Sequence, residues 1–224
     1  MLAAGFGTRL RPITDKIPKC LVPINGKPLL GIWLNKLASE GFGPYLVNTH
    51  YLADKVAEFI DKNPIKSSVT LVYEPILKGT AGTLIANVQF YKGSDGLLIH
   101  ADNYCMSDLS LLVLAHRKRP SGCVMTMLTF RAASPETCGI LEVDSQGVLV
   151  GFHEKVDNPP GNLANGAIYI ISNRMMQELV EKLPDMRDFS TEVIPRFLHR
   201  IYTYESNKPV IDIGTPQAYA SVNK

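Results

Sequence analysis

Residues 1–48, MLAAGFGTRLRPITDKIPKCLVPINGKPLLGIWLNKLASEGFGPYLVN, carry the first evidence of architecture in this chain. The apolar opening at 1–4 reads as a strand that runs directly into a glycine-rich turn. It is either a short strand or the second half of one with residues upstream. Residues 27–42 read as a helix, with Pro28 in the first turn, Leu30, Leu34 and Leu37 at helical spacing, and Gly41 as the stop signal. Residues 45–48 form the next apolar run. The alternation continues outward: helix at 53–61, strand at 69–73, helix at 81–88, strand at 97–101, and helix at 108–118 with Ser107 as its cap. Repeated strand–helix units imply a mostly parallel sheet with helices on both faces. Ligands in such sheets sit at the carboxyl ends of strands.

The second half changes character. Residues 123–130, 140–143, 148–152 and 167–171 read as strands on short connections, with a turn at Asp144-Ser145-Gln146-Gly147. Helices at 174–182 and 191–198 and a strand at 199–204 follow. No repeat or linker separates the halves, so the expectation is one domain over 1–224. Its first half would run to about residue 120, and a smaller mixed-sheet lobe from about 121 to 224 would cover it.

Composition narrows the function. A net charge of +2, with both signs mixed along 224 residues, is no footprint for nucleic acid. No apolar run reaches the about 18 residues that a membrane helix needs. The opening residues lack a signal-peptide pattern, so the cytoplasm is expected. Cys20, Cys105, Cys123 and Cys138 are widely spaced without a CxxC pair, which reads as four reduced thiols rather than a zinc site.

Chemistry is densest in Gly5-Phe6-Gly7-Thr8-Arg9-Leu10-Arg11-Pro12. Glycines there let backbone N–H groups approach a polyphosphate, and Arg9 and Arg11 add fixed positive charge. The GxxxxGK(S/T) pattern is missing, and Leu10 stands where a dinucleotide fingerprint has its third glycine. A glycine turn alone is ordinarily structural. The strap that follows, with Lys16, Lys19 and Lys27 among Pro18, Pro23 and Pro28, concentrates charge that an anionic ligand would balance.

The run LAAGFGTRLRPITDKIPKCLVPINGKPLL (residues 2–30) resembles the signature of the sugar-1-phosphate nucleotidyltransferases, which make GDP-mannose, GDP-heptoses, dTDP-glucose and UDP-sugars. Cys20 stands where proline is common. The resemblance runs from Leu2 to Tyr219, and on this reading no β-helix or acyltransferase extension is expected after Lys224. It implies a Rossmann-like three-layer αβα fold with a mostly parallel mixed central sheet and a smaller sugar-binding lobe. It further implies that Leu2, Ala3, Ala4, Gly5, Gly7, Thr8 and Arg9 contact the nucleotide, with Arg9, Lys19 and Lys155 as the catalytic cations. Asp102, ending the strand at 97–101, and Asp212, in Val210-Ile211-Asp212-Ile213-Gly214-Thr215-Pro216, are implied as ligands of a Mg²⁺ cofactor, Asp102 also touching the nucleotide. Val210 replaces the usual aromatic. His100 shares a face with Asp102 and reads as core or supporting.

By the same resemblance Gly139, Glu154, Lys155 and Asn165 would bind the sugar phosphate. Glu74 with Gly79, Thr80 and Ala81 would face the base. The G-T-A-G form at 79–82 leans toward GTP and toward mannose or heptose 1-phosphate. The implied reaction joins a nucleoside triphosphate to a sugar 1-phosphate and releases pyrophosphate. The alternatives are uridylyl or thymidylyl transfer, or a non-catalytic nucleotide-sugar-binding subunit. The partners are these small molecules, with no nucleic acid or membrane, and a homo-oligomer is compatible.

Overall fold

The computed structural model describes residues 1–223. In chain order its strands are β1 (Pro23–Ile24), β2 (Lys27–Pro28), β3 (Tyr45–Thr49), β4 (Val69–Tyr73), β5 (Gly96–Ile99), β6 (Asn103–Cys105), β7 (Met125–Arg131), β8 (Gly139–Val143), β9 (Leu149–Glu154), β10 (Leu163–Ile171), β11 (Ile201–Glu205) and β12 (Val210–Asp212). The helices are α1 (Leu29–Ser39), α2 (Ala53–Asp61), α3 (Gly79–Ala86), α4 (Leu109–Arg117), α5 (Asn173–Lys182) and α6 (Pro216–Val222). The chain forms a mixed α/β structure of two compact units that interleave along the sequence. Unit 1 holds residues Met1–Leu77, His100–Cys105 and the segment from Ile211 onward; unit 2 holds Lys78–Ile99 and Met106–Val210. These units are not the two stretches divided near residue 120. Among the described residues no helix is long and apolar enough to cross a membrane, and all four cysteines are free.

In unit 1, β3 pairs β4 in parallel register from Tyr45↔Val69 to Thr49↔Tyr73. Leu2 bridges Asn48 and His100, both in parallel. The expected opening strand therefore shrinks to one bridging residue. The cause is local: the next N–H, that of Ala3, donates to the Asn48 side chain at 2.7 Å instead of extending a ladder.

Helix α1 starts at Leu29 rather than residue 27. Lys27 and Pro28 are drawn into a two-residue ladder with Pro23 and Ile24, closed by Asn25 at φ 47° and Gly26 at φ 77°. That is the left-handed pair that Asn-Gly hairpins demand. Pro28 thus caps the helix instead of filling its first turn. Once started, α1 buries Leu29, Leu30, Trp33, Leu34 and Leu37, the spacing of one helical face. Gly41, at φ 79°, follows its end.

Unit 2 is built on one sheet ordered β11-β7-β10-β8-β9, with β5 also pairing β10. Only β11–β7 is parallel; β10 runs antiparallel to β5, β7 and β8. The buried side chains are mostly apolar, Met125, Met127, Ile168 and Tyr169 among them, with Thr126 and Thr129 of β7 buried as well. The turn at 144–147 forms as expected, its Asp144 carboxylate accepting from the Gln146 and Val148 N–H groups.

Three expectations shift for identifiable reasons. Helix α4 is capped by Asp108, which accepts from the Ser110 N–H at 2.9 Å; Ser107 is buried against the Ser206 hydroxyl instead. The expected helix at 191–198 becomes two short turns, Phe189–Val193 and Ile194–Phe197, because Pro195 lacks an N–H and crowds the preceding turn. The strand ending the 97–101 run stops at Ile99, and β6 begins after a turn at Ala101 and Asp102. The final helix α6 has Pro216 at its first position and the Thr215 hydroxyl as its cap.

Candidate active site

Lys19 is the centre of the charged cluster in unit 1. A tight turn after Pro18 buries its side chain to 8 % exposure. Its Nζ donates to Asp102 Oδ2 and Asp212 Oδ1, each at 2.7 Å. Burial alone would lower its pKa and is the largest single influence, but Asp102 and then Asp212 outweigh it and hold the value above the ordinary 10.5. Asp212 is the mirror case. Burial raises its pKa, yet Lys19 and Arg9 together hold it below the usual carboxylate value. Arg9 Nη2 donates to Asp212 Oδ2 at 3.2 Å. Gly214 lies under this pair, since a Cβ there would stand 2.8 Å from Arg9 Nη2 and 2.9 Å from Asp212 Oδ1.

The glycine loop stands open beside this cluster. Gly5, Phe6 and Thr8 are exposed, and the N–H groups of residues 5–8 make no hydrogen bond among the described residues. Gly7 sits at φ 64°, and its carbonyl accepts from the Thr14 hydroxyl at 2.7 Å. A run of free N–H groups around a left-handed residue is a nest for an anion. Glu74 is buried to 1 % exposure and accepts from Asn48 Nδ2 at 3.1 Å. Asn48 Oδ1 in turn takes the Ala3 N–H. The Glu74 carboxylate therefore steadies the start of the loop through Asn48. Sequence reasoning gave Asn48 no role and held Thr14 and Gly214 only as members of quoted motifs; for Asn48, a polar residue ending the apolar run 45–48 was the available sign. His100 is half-buried, and its backbone carries the bridge to Leu2.

Unit 2 holds the remaining residues in two groups. In the first, Gly79 has φ 82°, and a Cβ there would stand 2.3 Å from the Arg187 carbonyl oxygen. The Ala81 N–H donates to that same oxygen at 2.9 Å, and the Thr80 hydroxyl accepts from the Phe189 N–H at 2.7 Å. The 79–81 turn is thus locked onto 187–189, with the Ala81 N–H already committed.

In the second group, Gly139 pairs Glu154 across β8–β9, with the Glu154 carboxylate and the Phe152 ring lying where a Cβ would go. Lys155, 61 % exposed, approaches Glu154 at 3.2 Å. Asn165 donates to the Tyr169 hydroxyl at 2.8 Å and accepts from the Ala167 N–H at 2.9 Å. Burial, opposed by the Asn165 bond, pushes the Tyr169 phenol above its ordinary pKa. This keeps it a neutral hydrogen-bonding group.

Asp102 and Asp212 suit Mg²⁺. Two carboxylates, 38 % and 48 % exposed, already converge on a single cation. Among the described residues no cluster of three acidic, His or Cys side chains surrounds them. Mg²⁺ is commonly held this way, by one or two carboxylates with waters and substrate phosphates completing the octahedron.

The nucleotidyl transferase family model matches residues 1–224. The mannose-1-phosphate guanylyltransferase of Mycobacterium tuberculosis is 30 % identical over 98 % of this chain, which covers 61 % of that protein. The D-glycero-alpha-D-manno-heptose 1-phosphate guanylyltransferase of Campylobacter jejuni is 28 % identical, covering 98 % of this chain and 95 % of its own length. Relatives named as glucose-1-phosphate adenylyltransferases match as well. The chain spans about three fifths of the length of most of these curated relatives. Among solved structures, HddC from Yersinia pseudotuberculosis, complexed with GMP-PN, superposes with a TM-score of 0.82 at 25 % identity, covering 99 % of this chain and 95 % of that one.

Proposed function

Since the chain belongs to the nucleotidyl transferase family, we propose that it transfers a nucleoside monophosphate from a triphosphate to a sugar 1-phosphate and releases pyrophosphate. GTP is the favoured donor and mannose or heptose 1-phosphate the favoured acceptor. The G-T-A-G turn at 79–82 supports this choice, together with the names of the guanylyltransferase relatives. The observation that carries the reading is Lys19 Nζ held at 2.7 Å from both Asp102 and Asp212. On this reading, a cation that would meet phosphate and two carboxylates that would hold the metal stand at one point.

Asp102 and Asp212 would hold Mg²⁺, which would neutralise triphosphate charge when bound. The N–H groups of residues 5–8 would cradle the phosphates, with Arg9 and Lys19 drawing charge toward the leaving pyrophosphate. Lys155 would hold the sugar phosphate, Glu154 and Asn165 would bond sugar hydroxyls, and Gly139 would let the sugar lie close. The attacking phosphate oxygen is already an anion, so no protein base has to remove a proton. Catalysis is then positioning plus charge stabilisation.

The test is pyrophosphate release with Mg²⁺, crossing GTP, ATP, UTP, dTTP and CTP against mannose, heptose, glucose and N-acetylhexosamine 1-phosphates. Release with GTP and one of the first two sugars is expected. Preference for ATP, UTP or dTTP would move the base assignment. Silence across the panel, with nucleotide-sugars still binding, would replace the enzyme by a nucleotide-sugar-binding subunit.

A further inference from the structure

A cavity of about 480 Å³ opens in unit 2, lined by Arg117 at the end of α4, Arg119, Ser121 and Gly122 from the loop that follows, and Arg174 from α5. None of these residues belongs to the proposed active site. Asp95 is the single carboxylate of the lining, and it is already engaged. Its Oδ1 accepts from the Asn173 N–H at 2.8 Å and its Oδ2 faces His116 Nε2 at 3.3 Å.

The three guanidinium groups are the unusual part. Arg9, Arg11, Arg131 and Arg200 each reach a carboxylate, at 3.2, 3.1, 2.8 and 2.8 Å. Arg117, Arg119 and Arg174 reach none among the described residues; Arg196 also reaches none, but it bonds the Glu192 carbonyl, whereas these three share one cavity. Arg119 is pinned by its own backbone. Its Nε donates to the Cys123 carbonyl at 2.9 Å and its Nη1 to the His116 carbonyl at 2.6 Å, which leaves Nη2 free.

The carbonyl end of α4 accounts for Arg119, because a cation is favourable at a helix C-terminus. It does not account for Arg174. That residue stands second in α5, at the end where the helix dipole disfavours a cation. The acid four residues on, Glu178, is held in a two-pronged bond to Arg200. Three like charges in one polar cavity, one of them preset by backbone bonds, form a surface whose missing partner is an anion. Guanidinium groups favour phosphoryl oxygens because their N–H fork matches them. The volume falls within the range of small-molecule sites and exceeds what one phosphate fills.

We propose that this cavity is a second ligand site, for a small molecule carrying one or more phosphoryl groups. Inorganic pyrophosphate is the probe, titrated without Mg²⁺ into the full chain in moderate salt and followed by backbone amide NMR. Saturable shifts are expected at Ser121, Gly122 and Arg174, separately from any at residues 5–9. Arg119→Ala should weaken the first set at least tenfold and leave the second unchanged. The Arg117 and Arg174 side chains make no hydrogen bond among the described residues, so Arg117→Ala/Arg174→Ala removes charge without removing a bond. The double variant should weaken the same shifts tenfold and decides the matter if Arg119→Ala does not fold. Shifts confined to residues 5–9, or an affinity at Gly122 that both variants leave unaltered, would overturn the site. So would variants that lose only Tm, since helix capping alone predicts that outcome.

Discussion

Two clusters of positive charge in this chain are balanced in opposite ways. Around Lys19, one ammonium and one guanidinium meet two carboxylates at 2.7–3.2 Å, and the pKa values of Lys19 and Asp212 move apart in the directions that keep both charged. Around Arg119, three guanidinium groups meet one carboxylate that is already occupied. The first cluster is complete in itself. The second is incomplete and asks for an anion. Charge by itself does not mark a site; the count of partners within reach does.

The largest effect that tests this contrast is catalytic. Asp102→Ala or Lys19→Ala should cut kcat by about 10²–10³-fold, by analogy with deletion of a single transition-state contact, while Arg119→Ala leaves kcat in place. Normal turnover in either of the first two, measured as pyrophosphate release, would reduce the Lys19 cluster to a structural ion pair.

Next is stability. Lys19→Met takes the Lys19 cation from Asp102 and leaves Asp212 with Arg9 alone. A buried pair broken on one side costs about 3–5 kcal/mol, discounted here to about 1–2 kcal/mol because both carboxylates are partly exposed. A Tm loss of about 2–8 °C follows for a chain of this size, and millimolar Mg²⁺ should restore part of it. Unchanged melting with and without Mg²⁺ would show that the carboxylates do not need a cation.

A smaller effect belongs to the cavity. Asp95→Asn keeps the acceptor for the Asn173 N–H but removes the only negative charge, so pyrophosphate should bind about 2–5-fold tighter, the scale of a partly exposed charge pair. Weaker binding would mean that Asp95 orders the site rather than opposing its ligand.

The smallest effect is a pH slope. Burial, then Arg119, lowers the His116 pKa from 6.5 against the opposing pull of Asp95, and its Nδ1 lies 2.8 Å from the Thr126 hydroxyl. The folded state thus binds the proton less readily than the unfolded chain. The stability contributed by neutral His116 is present above pH 6.5 and is lost as pH falls toward the lowered folded value. Melts at pH 7.5 and 5.5 should show a drop that His116→Asn makes shallower, and one smaller than the loss in Lys19→Met. Equal slopes in both proteins would assign the pH response elsewhere.

Much of the fold was legible from local pattern. Helix α2 and strand β4 fall on the residues that periodicity indicated, because their burial repeats are undisturbed by their neighbours. The misses occurred where a short-range signal was overridden or overlooked. Asn25-Gly26 is a plain hairpin signal that the following helical pattern masked. The opening strand lost its ladder to a side chain 45 residues away. Pro195 split a helix whose apolar spacing was otherwise convincing. In the site, the family resemblance singled out Arg9, Lys19, Asp102 and Asp212, but could not reveal that Asn48 ties Glu74 to Ala3.

The sequence by itself determined the family of the chain and, through that resemblance, pointed to its glycine loop and two aspartates, since these rest on side-chain types within short motifs. Tertiary structure alone decided that Lys19 meets Asp102 and Asp212 across 83 and 193 residues, and that arginines from α4 and α5 share one cavity without a free counter-charge. The physical reason is range. Backbone propensity and periodicity act over a few residues, whereas the pairing of distant charges is settled only when the whole core has packed and fixed where each strand ends.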